Sequence, residues 1–352
     1  MFKNMKKLKL AFAILFTAGM AGNAQVSTVP VGYVTYVVKA RSDQRIGLPM
    51  QRPSVFTGAA TTVNNAIVSA AGITSLSGAN FLVVTSGAAE GKWEEISSST
   101  NGSLNLAAGI SGFANGNSFE IKPFWTLGTL LPSGGGIPAS TDPYDAVALV
   151  FLYNPAAVGI NIPSYKAYFY HGGSAGYAAG WYDNDDPDLG LQNAVVLSPE
   201  VGLTIRNLTT TQISVPILGT VPANKMALDV VRRSSGPQDN ILYNKFPADV
   251  TLGNSGLADS GAVLASVDVY DPGDQILMYP LGYSGFNGSA SASYFYHGGS
   301  LGYPAGWYNS SDPDSGLQNS VVIPCGAQVL IRKTAGTSGA VAWNPATPYS
   351  VQ

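Results

Sequence analysis

The stretch from Tyr168 to Asn193, YFYHGGSAGYAAGWYDNDDPDLGLQN, occurs twice in this chain of 352 residues. It returns at Tyr294 to Asn319 as YFYHGGSLGYPAGWYNSSDPDSGLQN, 126 residues on, without a gap and with 20 of 26 positions identical. A long aromatic, glycine-rich element repeated in fixed register is the mark of a duplicated structural unit. The same offset pairs VFLY at 150–153 with ILMY at 276–279, Gly159 with Gly285, and Asn161 with Asn287. Downstream it pairs NAVVL at 193–197 with NSVVI at 319–323, and LTIR at 203–206 with VLIR at 329–332. Trp125-Thr126-Leu127-Gly128 matches Val250-Thr251-Leu252-Gly253 with the offset reduced by one residue.

The segments between these landmarks read as strands. VGYVTYVV at 31–38 is a run of β-branched and aromatic residues of strand length. Between Phe56 and Pro123, short apolar or alternating runs are separated by Gly and Asn roughly every ten residues, the pattern of a small antiparallel β-module. Nothing between Ala223 and Val250 corresponds to it. No segment carries capped helical periodicity over more than about ten residues. The expectation is a mainly β fold of two duplicated antiparallel sandwich-like units, with an inserted small β-module in the first. The first unit spans 25–222 with the module at about 57–122, and the second spans 223–352.

Residues 1–24 read as a secretory signal peptide: Lys3, Lys6, Lys7 and Lys9 precede an apolar run from Leu10 to Met20, and Gly22-Asn23-Ala24 offers small residues for cleavage before Gln25. The apolar run is far shorter than the roughly 20 residues that span a bilayer, so no transmembrane helix is expected after cleavage. That segment holds four of the 18 Lys and Arg and none of the 21 acids, so fourteen bases against 21 acids leave the remainder at −7. Without clustered Lys and Arg, nucleic acid is excluded as a partner. Charged residues make up only 11% of the chain, against a usual share of about a quarter. Cys325 is the single cysteine, which excludes an internal disulfide and any cysteine-based metal cluster, and it reads as a small buried apolar residue.

Three groups are candidate sites. His171 and His297, the two histidines, both sit in Tyr-Phe-Tyr-His-Gly-Gly, and their repetition in identical local surroundings points to a role in the fold rather than in a catalytic triad. Asp183, Asp185, Asp186 and Asp188 crowd one loop, and clustered oxygens suit calcium. The same Asp-Pro-Asp followed by Gly is what a tight turn uses, and the second copy keeps only Asp312 and Asp314. Tyr170, Trp181 and Tyr182, with Tyr296, Trp307 and Tyr308, would offer stacking platforms for a glycan, or else pack the units. Glu94, Glu95 and Glu120 suggest paired carboxylates for glycoside hydrolysis, but Glu94 and Glu95 are adjacent on a strand and so face opposite ways, which denies that pair the geometry.

Val31-Gly32-Tyr33-Val34, then Gly47-Leu48-Pro49, Arg52-Pro53 and Phe56, resembles the opening of an uncharacterised family of secreted, β-rich bacterial proteins found mainly in verrucomicrobia and their relatives. The resemblance continues through TSGAAEGKW at 85–93 and SFEIKPFWTL at 118–127. It implies an exported, envelope-associated or extracellular β protein and carries over no functional residue. The expected function is a secreted, non-enzymatic structural or cell-surface protein that assembles with itself or with other envelope components. The alternative is an extracellular glycan-binding or calcium-stabilised adhesion module.

Overall fold

The computed structural model describes residues 30–300 and 302–350; the expected signal segment lies outside them. The chain is mainly β, built of antiparallel sheets. One five-stranded sheet runs, edge to edge, Gly180–Asp183, Lys166–His171, Ala148–Leu152, Leu203–Asn207 and Ser42–Ile46. A second has the same order from Gly306–Asn309, Ala292–His297, Gln275–Met278, Gln328–Lys333 and Gln238–Tyr243.

Each sheet is faced by a two-stranded ribbon: Val31–Val38 with Ile213–Thr220 for the first, Leu228–Arg232 with Gly339–Trp343 for the second. Alternation decides which side of the ribbon turns inward. Tyr36 and Val38, with Ile213, Val215 and Ile217, close over Val150, Tyr168, Trp181 and Ile205 of the sheet. The second core repeats this with Leu228, Val230, Ile276, Tyr294, Trp307, Ile331 and Trp343. Burying one such aromatic side chain stabilises the fold by about 2–3 kcal/mol before ordering costs.

The inserted module runs from Phe56 to Pro123 as one seven-stranded sheet with a core of its own, including Val68, Leu82, Leu104, Phe119 and Ile121. It enters between Ser42–Ile46 and Trp125–Thr126, where the second copy has only the short link from Tyr243 to Val250. Phe81, Val83 and Phe124 fasten it to Met226.

The two copies clasp each other reciprocally. In the first, Arg206 donates through Nε (2.7 Å) and Nη2 (2.8 Å) to Asp43, and the Asn287 backbone N–H of the second copy donates to the same carboxylate at 2.7 Å. In the second, Arg332 donates to Asp239 at 2.7 and 2.9 Å, and the Asn161 N–H of the first copy completes it at 2.7 Å. Asn161 and Asn287 both hold left-handed backbone (φ 53° and 55°), which Asn tolerates better than most residues. Tyr243 of the second copy lies so close to Gly47 that a Cβ there would sit 2.4 Å from its ring. The arrangement is that of an isologous dimer carried in one chain.

Candidate functional site

The repeated aromatic element is spent on packing. Trp181, Tyr182, Trp307 and Tyr308 are buried, which fits the packing alternative and leaves their rings no open face for a glycan. The sheet is covered on both sides: Trp181 faces the ribbon, while Tyr182 lies under Phe169 at 6.0 Å and meets His171 edge-on at 5.8 Å. Tyr170 and Tyr296 are half-buried, each edge-on to its tryptophan at 5.6 Å. Leu131 accepts the Trp181 indole N–H at 3.2 Å.

Both histidines are fully buried. His171 Nδ1 accepts from the Gly173 N–H (3.2 Å), which leaves its proton on Nε2, facing the Ser174 hydroxyl at 3.3 Å. His297 holds the other tautomer: Nε2 accepts from the Ser300 N–H (3.1 Å), and Nδ1 donates to the Ser266 carbonyl (3.1 Å). Each ring ties its strand end to the following glycine loop.

The four loop carboxylates diverge. Asp183 is buried, pairs with Lys166 at 2.6 Å and accepts the Asp185 N–H at 2.9 Å. Asp186 precedes a single 3-10 turn, Pro187–Leu189. Asp188 turns away to accept from the hydroxyls of Tyr177 and Tyr144. The second copy builds the same turn at Pro313–Ser315 although its first three positions are Asn, Ser and Ser. Among the described residues no three His, Cys, Asp or Glu side chains are grouped to hold a metal.

The sequence reading missed two matching clusters at the loop ends of the sheets. Tyr144 and Tyr177 hydroxyls lie 3.0 Å apart, and both bond Asp188. Tyr303 and Tyr270 likewise donate to Asp314 at 2.7 and 2.8 Å. Asp314 is held below its ordinary carboxylate range by these two hydroxyls, Tyr303 first. Tyr177 and Tyr303 are pushed well above the usual phenol range, Tyr177 chiefly by Asp188 and then Tyr144, Tyr303 by Tyr270 and then Asp314. The signal was present: the 126-residue offset reaches back to Ser140 and Ser266, Asp142 and Asp268, and Tyr144 and Tyr270. Tyr144 and Tyr270 keep 68% and 61% of their surface exposed, so these clusters, unlike the tryptophans, can touch a partner.

A second feature is acidic. Glu94 of the module, Glu200 and Asp229 line an open cleft of about 480 Å³ together with Lys92 and Trp93. Burial, then the Asp229 charge, raises Glu200 to about 7; Glu94 is raised by burial and by its acidic neighbours Glu95 and Asp229. Glu120, by contrast, is neutralised by Lys122 at 2.9 Å. A carboxyl raised on folding opposes the fold once it ionises, so Glu200 contributes nothing adverse below pH 4.5 and its full penalty above pH 7. Glu200→Gln should therefore gain about 2–3 kcal/mol at pH 8 and nothing at pH 4, read from urea midpoints. An equal gain at both would assign the effect to packing. Cys325 is only partly buried, and burial, then Asp249, pushes its thiol up to about 11, far from a reactive thiolate.

No family model matches the chain, and neither a curated protein nor a solved structure matches it.

Proposed function

We propose that this is an exported, non-enzymatic structural or cell-surface protein that associates with copies of itself. The observation that carries the reading is the outer face of the first ribbon. Val31, Tyr33 and Leu218 there are 73%, 72% and 59% exposed, with Tyr33 and Leu218 directly opposite each other across the strands. In the second copy the equivalent face, with Asp229, Ala340 and Ala342, lines the cleft shared with the inserted module. The first copy's face is more apolar and lacks that neighbour. A bare apolar strand pair is what one chain would lay against another. The low proportion of charge over the whole chain suits the same packing. No helix among the described residues is long and apolar enough to cross a membrane.

A second reading, glycan binding, is favoured by the exposed Tyr144 and Tyr270 clusters, where a ring and a hydrogen-bonding carboxylate lie together. Light scattering after size-exclusion chromatography on residues 25–352 separates the two. The mass should rise with concentration, and Tyr33→Lys with Leu218→Lys should return it to that of one chain. A single-chain mass at all concentrations would defeat self-association. Glycan arrays comparing the protein with Tyr144→Ala and Tyr270→Ala would then decide the second reading.

A further inference from the structure

Lys245 sits just past the strand Gln238–Tyr243, where both copies and the inserted module meet. It is buried, and its Nζ has no hydrogen-bond partner among the described residues. The aromatic rings around the amine are those of Phe246 at 5.4 Å and Trp343 at 6.0 Å. Burial, and secondarily the charge of Lys225, brings this amine down to about 7, so that near neutrality much of it carries a free lone pair.

Lys245 lines a largely enclosed cavity whose walls include Leu48, Met50, Phe81, Trp125 and Met226. The other polar groups of that lining are engaged elsewhere. Tyr243 donates to the Pro199 carbonyl at 2.8 Å, Arg52 to the Phe124 carbonyl at 3.2 Å, and Asn224 to Glu120 at 2.7 Å; Gln51 accepts from Lys122 at 2.7 Å. The free space is about 30 Å³, room for roughly two waters. An unprotonated, unpartnered amine on a residue that lines a small, mainly apolar space is the arrangement in which a lysine attacks a carbonyl carbon.

We propose that Lys245 and this cavity form a covalent capture site for one- or two-carbon aldehydes, held as a Schiff base. The Nζ lone pair forms the C–N bond, and the carbonyl oxygen gains the proton to give a carbinolamine. Loss of that oxygen as water, with the second amine proton, leaves the imine, so one water is released per aldehyde and nothing is oxidised. Water returns the free amine and the aldehyde.

The test uses residues 25–352, folded, at pH 7 with limiting acetaldehyde and cyanoborohydride, which reduces an imine to an ethylamine. Peptide mass spectrometry then ranks the seven lysines from Lys39 onward. Lys245 should be ethylated at least about tenfold faster than Lys39 or Lys225, a modest part of the roughly thousandfold advantage in unprotonated fraction over an ordinary lysine. Pentanal, too long for the space, should label the exposed lysines and spare Lys245. Lys245→Met should lose the fast-labelled site and leave the rates of the other lysines unchanged. Slow or absent ethylation of Lys245 in the folded chain would overturn the proposal and assign the space to water. Equal labelling by pentanal would overturn the size class.

Discussion

Asp239→Ala should lower the free energy of unfolding by about 2–3 kcal/mol, the cost of taking an enclosed carboxylate away from a half-buried guanidinium and a backbone N–H. The Asp239 carboxylate is fully enclosed, and it receives two guanidinium bonds from Arg332 and the Asn161 N–H. Removing it takes the acceptor from all three donors at once; Arg332 keeps its bond to Asn161 Oδ1 and some water, so the heaviest loss falls on the Asn161 N–H. Asp239→Asn should recover part of the loss, since one oxygen remains to accept from Asn161. Hydrogen exchange supplies the second readout: protection of the amides at 159–161 should fall although they lie in the other copy. The equivalent change in the first copy, Asp43→Ala, should expose the amide of Asn287. A loss under about 1 kcal/mol with protection unchanged would mean that the clasp carries little of the contact between copies.

Lys245→Met should raise stability, by about 3–4 kcal/mol at pH 6. The amine is held at about 7 in the fold against 10.5 as its ordinary value. Between those values the unfolded chain holds a proton that the folded chain gives up, so the wild type loses stability as pH falls from 10.5 to 7 and keeps a constant deficit below. That interval corresponds to about 5 kcal/mol, of which relaxation and water entry return part. Met replaces the amine with an unbranched apolar side chain of similar length, suited to an irregular space. Urea midpoints at pH 6, 8 and 10 should show the gain shrinking steadily toward pH 10. A gain independent of pH would assign it to packing, and a loss would mean that the amine has a partner in solution.

Strand content and the place of the insertion were readable because both rest on local pattern. The alternation of Val31–Val38 appears directly in which of its residues are buried, and Gly and Asn mark the turns of the 56–123 module. Alternation reports a face without saying what covers it. Trp181 and Tyr182 fall on opposite faces of their strand, and the sequence does not reveal that the outer face is closed by Phe169, His171 and Tyr177. The Tyr144 cluster joins residues 33 and 44 positions apart, a separation no local pattern encodes. Asp43 and Asp239 escaped the repeat for another reason. The insertion displaces them from the 126-residue register, so the equivalence appears only when Arg206 and Arg332 are seen holding them.

The first ribbon also dictates an order of assembly. Val31 pairs with Thr220, and Ser42 with Asn207, so the earliest strands of the chain wait for the end of their own unit before they can close. Synthesis delivers the chain from its N-terminus, so throughout that interval two strands stand with open edges, one of them rich in Val and Tyr. The 56–123 module closes on itself meanwhile, through neighbours such as Asn80–Val84 and Trp93–Thr100. Closure of the first unit therefore waits on its longest-range pairings, the kind that slow folding. In that interval strands 31–46 are the part of the first unit that a shielding factor would have to cover.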